Sequence, residues 1–343
     1  MGVAPPATAL QRHASRAAAS RRPASESIHQ LEHSMSVEPE QLVDALYGGA
    51  ATPPPRRVNH AKGILLRGHF VATRHAARLS VASHFQGQRI PILIRFSNFG
   101  GAPDVPDNAP RANPRGLAIR FMLPGGATTD LVAHSANGFP ARTPAEFLAF
   151  LHAVNRADTQ PEFLERHLVA HEAARRFVAL PLATPRSYLT EQFHAMHAFV
   201  FTGLDGGRTA GRYIVEPETE VEHWSDERAA ALPADFLQRD IRTRVARGQA
   251  RMKLTLQVAG PGDRLDDISA AWPDDRPRVD LGEIALTDVT TDETAQERVA
   301  FDPARLTTGI EHAGDPMLAV RHRAYANSFA RRRALARGDS GVE

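Results

Sequence analysis

Alternation of apolar and polar positions is the dominant signal along this chain. In Ile92-Leu-Ile-Arg-Phe-Ser97 a period of two sets Ile92, Ile94 and Phe96 on one face and Arg95 and Ser97 on the other. Runs of this kind predict strands over Ile64–Thr73, Ile92–Phe96, Gly116–Met122, Asp130–His134, Ala198–Thr202, Tyr213–Val215, Met252–Val258 and Val279–Leu286. Helical spacing occupies the gaps. Thr143-Pro144 supplies a cap and a helix-opening proline before Glu146–Val154, and Pro161–Leu180 and Pro233–Ala246 read as two more helices. Ser36 is placed to cap a helix through Leu46, and Asp315-Pro316 opens a last helix that reaches the Arg331–Arg333 triplet. Strands cluster and helices are appended, so the expected class is α+β on an antiparallel sheet.

Composition narrows the chemistry. A chain of 343 residues with 42% hydrophobic content can bury one sizeable core. Lys and Arg number 41 against 39 Asp and Glu, a net charge of +2, so no strong field draws it to nucleic acid or an anionic membrane. Cysteine is absent, which excludes disulfides, thiolate ligands, iron–sulfur clusters and a cysteine nucleophile. Redox chemistry would need a cofactor held by other residues. No apolar run approaches the roughly 20 residues of a membrane span and no signal peptide opens the chain, so a cytoplasmic location is expected. Residues 1–34 are rich in Ala, Ser, Arg and Pro without periodicity and are expected to be a disordered extension before one domain, 35–343. An organelle transit peptide or an alternative start at Met35 are other readings of that segment.

Two stretches carry candidate chemistry. On the last helix Arg321, Ser328 and Arg332 share the stripe of Tyr325, with Arg321 one turn before it. A permanent cation beside a phenol favours the phenolate, a hard ligand for ferric iron; a solvated Arg-rich face would show the same stripe. The Arg95 and Ser97 face of its strand either lines a polar pocket or meets solvent.

In chain order, Arg57-Val-Asn-His-Ala-Lys-Gly63, Ile94-Arg-Phe-Ser97, Asn113-Pro-Arg-Gly-Leu-Ala-Ile-Arg-Phe121, Asp130-Leu-Val132, Arg142-Thr-Pro-Ala-Glu-Phe147 and Arg321-x-x-x-Tyr325 resemble the catalase superfamily, in its short branch of catalase-related peroxidases. The resemblance spans about residues 40 to 335 and implies an antiparallel β-barrel of the catalase type with surrounding helices. It implies haem, of the b type, with iron held by Tyr325. It further implies His60 as distal acid–base, Ser97 as the hydroxyl that orients its ring, Arg57, Arg95 and Arg332 as partners of the haem propionates, Phe147 as a ring near the haem, and Arg321 with Tyr325 as the proximal pair. Hydrogen peroxide or an organic hydroperoxide, a small organic electron donor and a homo-oligomer are the implied partners.

Two departures shape the expected activity. His134 stands where full-length catalases have a distal asparagine, with Asn137 the nearest amide, and Asn59 replaces the usual apolar residue before the distal histidine. Both touch groups that would steer peroxide, so His134 joins the candidate catalytic residues and a peroxidase with weak catalase activity is expected. The chain also stops soon after the Tyr325 helix, without the nucleotide-binding C-terminal region of many full-length catalases. Alternative readings are a haem enzyme that rearranges fatty-acid hydroperoxides, with Pro161–Leu180 either bordering a larger channel or packing on the core, and a non-catalytic haem-binding protein.

Overall fold

The computed structural model describes residues 37–48, 56–292 and 295–337, so the expected extension over residues 1–34 lies outside the described residues. Among the described residues ten strands form one antiparallel sheet: β1 Gly63–Ala72, β2 Arg89–Ser97, β3 Gly116–Met122, β4 Thr128–His134, β5 Phe193–His194, β6 Phe199–Thr202, β7 Arg208–Pro217, β8 Arg251–Val258, β9 Arg278–Val289 and β10 Ile310–His312. The order β7-β5-β4-β3-β2-β1-β9-β8 closes because β7 also pairs with β8, giving an eight-stranded barrel from which β6 and β10 branch. Closure removes the exposed edges of those eight strands. This is the expected architecture.

The period-two pattern decides which face looks inward. Ile92, Ile94 and Phe96 of β2 lie in register with Phe121, Ile119 and Leu117 of β3, and all six are buried in the barrel. Their neighbours Arg95 and Ser97 therefore point out of the barrel wall, where helices cover them. Around the wall run α1 Pro39–Leu46, α2 Arg74–Leu79, α3 Pro144–Arg156, α4 Pro161–Ala170, α5 Glu172–Val178, α6 Asp226–Ala230, α7 Phe236–Ala246 and α8 Pro316–Arg337. A second apolar cluster, outside the barrel, joins Leu42 and Ala45 of α1 to Leu151 of α3 and to Met317 and Val320 of α8.

Several boundaries differ from the sequence reading. The expected Pro161–Leu180 helix is two helices, broken at His171, whose backbone is extended (φ −122°, ψ 101°). Its ring Nδ1 donates to the His167 carbonyl at 3.0 Å and stacks on the His167 ring, so a side chain competes for a last-turn carbonyl. In α4 Phe163, Leu164 and Leu168 are half-buried, and in α5 Ala174 is fully buried. The short Tyr213–Val215 run is the centre of a ten-residue strand, because partners on both sides extend pairing past Gly211 and Arg212. Helix α1 begins at Pro39 after Glu38, whose N–H is accepted by the Gln41 side chain; Ser36 lies outside the described residues.

Candidate active site

A cavity of about 1550 Å³, counted with its open mouth, lies between the outer barrel wall and helices α1, α3 and α8. All nine candidate catalytic and cofactor-binding residues line it: His60, Ser97, His134, Arg57, Arg95, Phe147, Arg321, Tyr325 and Arg332. Asn137, the nearest amide to the expected asparagine position, does not.

The wall is built by register. Ser97, Gly116 and His134 are consecutive cross-strand partners on β2, β3 and β4, so they share the outward face. The His60 ring rests on Gly116: a Cβ there would stand 2.6 Å from His60 Nδ1 and 2.5 Å from Ser97 Oγ. Ser97 Oγ and His60 Nδ1 are 3.2 Å apart. His60 has left-handed backbone, φ 56°, a costly conformation for a non-glycine residue. Both of its backbone polar groups are held. Asn59 Oδ1 accepts the His60 N–H at 2.8 Å and the Gly100 N–H at 2.7 Å, while Arg95 donates to the His60 carbonyl at 2.9 Å. Asn59 lines the cavity and touches His60 through its backbone: its oxygen is taken up by two backbone donors that would otherwise lack acceptors.

Burial, reinforced by the charges of Arg95, Arg321 and Arg57, pushes His60 down to about 3. Burial also lowers His134 to about 3, with Arg321, His60 and His194 adding to it. At neutral pH both imidazoles are neutral and each keeps a basic lone pair. His134 Nδ1 has no hydrogen-bond partner, and Phe99 stands edge-on to His60 with ring centroids 5.7 Å apart. Phe147 packs on Phe139 at 4.9 Å.

From α8 a chain of polar contacts reaches Tyr325. Asp315 caps the helix, accepting the Leu318 N–H at 3.0 Å, and its other oxygen lies 2.8 Å from His197 Nδ1. Burial keeps His197 below its ordinary value despite Asp315, so its ring is neutral, with Nδ1–H donating to the carboxylate and Nε2 left as acceptor. Arg321 fills that acceptor at 2.8 Å and donates through its other terminal nitrogen to Tyr325 Oη at 2.8 Å. The sequence showed Arg321, Tyr325 and the cap, but no signal pairs His197, one of 16 histidines, with a helix 118 residues later.

At the other end of the cavity Arg57, Arg95 and Arg332 converge. Arg57 Nε and Arg332 Nε and Nη2 are buried without a hydrogen bond. Buried guanidinium donors of this kind require an anion. Apolar walls, an anion-seeking end and a phenol oxygen held by a guanidinium fit haem with its two propionates.

Comparison with known proteins gives the same direction. The profile of the family described as Catalase matches residues 25–336. The chain is 39% identical over 306 residues to the catalase-related peroxidase of Mycolicibacterium paratuberculosis, covering 88% of this chain and 96% of that protein. It is 32% identical over 305 residues to the catalase-related peroxidase of Synechococcus elongatus, covering 86% and 89%. Catalase A from Saccharomyces cerevisiae superposes with a TM-score of 0.73 at 22% identity, over 85% of this chain and 64% of that one, a likeness of fold.

Proposed function

The chain belongs to the catalase family, and from that premise we propose that it is a haem-dependent peroxidase that uses hydrogen peroxide or an organic hydroperoxide to oxidise small organic donors, with weak catalase activity. The observation that carries this reading is one cavity lined by both the His60–Ser97 pair and the phenol of the Asp315–His197–Arg321–Tyr325 chain. Tyr325 would hold the iron of a bound haem, Arg57, Arg95 and Arg332 would pair with its propionates, and Phe147 would border its ring system. Haem b supplies, when bound, the iron that takes peroxide and exchanges electrons with it.

The chain's own residues move the proton. His60, kept neutral by burial, is placed to accept a proton from one peroxide oxygen and to give it to the other, and Ser97 and Gly116 fix the ring for both transfers. Arg321 keeps a donor on the phenol oxygen, and His197 and Asp315 hold Arg321 in place. His134 puts a larger imidazole where the family's asparagine amide would stand, a different hydrogen-bonding partner for the ordered second peroxide that disproportionation requires.

Three variants test the reading. Tyr325→Phe should lose most bound haem, seen by absorption. His60→Ala should lower dye oxidation by about 10²–10⁴-fold with haem retained. His134→Asn should raise oxygen evolution relative to dye oxidation; an unmoved ratio, or vigorous oxygen evolution by the unaltered protein, would remove the peroxidatic assignment.

A further inference from the structure

Among the described residues, one carboxylate stands within ion-pair distance of the convergent arginines. Glu297 Oε1 is 3.9 Å from Arg57 Nε, and Oε2 is 3.4 Å from Arg332 Nε. Neither contact has hydrogen-bond geometry, and Oε2 and both nitrogens are buried without a hydrogen bond. The short helical turn Ala295–Arg298 that carries Glu297 is tied to the same cations. Arg57 donates to the carbonyls of Gln296 and Val299, and Arg95 Nε donates to the Gln296 side chain at 3.0 Å. Burial lowers Arg57, Arg95 and Arg332, and at each of them the charge of Glu297 works in the opposite direction.

Three guanidiniums and one carboxylate leave a residual charge of 3 − 1 = +2 at this end of the cavity. Like charges this close repel strongly at low dielectric, so an arginine cluster without a counter-charge is unstable. A fully hydrogen-bonded glutamate would saturate the cluster and close it to a ligand. Glu297 does neither: it compensates the charge and leaves the donors open.

We propose that Glu297 is a resident counter-carboxylate, holding Arg57, Arg95 and Arg332 together before the cofactor arrives and setting their residual charge so that the site selects a ligand bearing two carboxylates at one edge. This rests on the haem reading above and adds a selectivity to it.

The test uses the full-length protein freed of haem and two probes, haem and haem dimethyl ester, whose carboxylates are capped. The unaltered protein should bind haem at least about tenfold more tightly than the ester, the affinity ratio of one modest ionic contact. Glu297→Gln should melt at a lower temperature without haem yet take up haem a few-fold faster, an acceleration that shrinks with added salt, while ester uptake is unchanged. Glu297→Asp should follow the unaltered protein. Slower haem uptake by Glu297→Gln, equal acceleration of haem and ester, or no discrimination by the unaltered protein would each overturn the inference. If Glu297→Gln does not fold, Arg332→Gln carries the test: its residual charge of +1 should narrow the haem-to-ester ratio, and an unchanged ratio overturns the proposal. Failure of the unaltered protein to take up either probe would instead remove the haem reading itself.

Discussion

Gly116 supports a ring that no sequence periodicity assigns to it. Its β3 backbone is pinned on both sides, to Ser97 and to His134, so an added methyl cannot be relieved by shifting the strand. In Gly116→Ala the Cβ would meet Ser97 Oγ at 2.5 Å and His60 Nδ1 at 2.6 Å, so the hydroxyl and the imidazole are the groups that must give. The expected outcome is haem content near that of the unaltered protein, kcat/KM for dye oxidation lower by about 10²-fold, as for a catalytic group displaced by roughly 1 Å, and a stability loss of about 1–3 kcal/mol. Activity within about twofold of the unaltered protein would show that the His60 position tolerates this methyl. His60, Ser97 and Tyr325 were legible because their residue types and local order carry the signal. Gly116, His197 and Glu297 were not, because each acquires its role from a partner distant in sequence.

At the scale of elements, α8 shows how one residue serves two structures. Asp315 satisfies a free N–H at the helix start and also accepts from the His197 ring. Burial pushes its carboxyl up, but the His197 hydrogen bond, with the Leu318 N–H and the Arg321 charge, brings it below the usual carboxylate value. Asp315→Ala removes the cap and strands a buried imidazole donor, for an expected loss of about 2–4 kcal/mol in denaturant unfolding. Asp315→Asn keeps a capping oxygen and should lose clearly less. Equal losses for the two would mean that the His197 contact, not the cap, dominates. The helix start was readable from Asp315-Pro316 because capping is local. The break in the expected Pro161–Leu180 helix was not, since the apolar spacing continues across His171.

For the whole molecule, buried neutral histidines set the response to acid. His84 is 2% exposed among Phe70, Phe85 and Phe121, and burial lowers it from 6.5 to about 3. A histidine depressed in this way takes up its proton on unfolding. The stability from its neutral state is therefore fully present above about pH 6.5 and is lost as pH falls toward about 3. Between about pH 7 and pH 5 one such group removes about 2 kcal/mol. His84→Phe keeps an aromatic ring without a proton site, so the haem-free variant should lose about 2 kcal/mol less over that interval in urea titrations. Equal losses would place the acid sensitivity in other groups.

The sequence by itself determined the α+β class, the inward face of β2, the capped start of α8 and candidate residues that line both ends of the cavity. Each rests on short-range rules: a period of two, a cap, a helical turn or an ordered motif. Tertiary structure alone decided that β7 and β8 are the strands that close the barrel, that Arg95 holds the His60 carbonyl, and that Glu297 stands among Arg57, Arg95 and Arg332. Those facts join residues tens to hundreds of positions apart. Local propensity has no access to such pairs, because register and burial form only when the whole barrel closes.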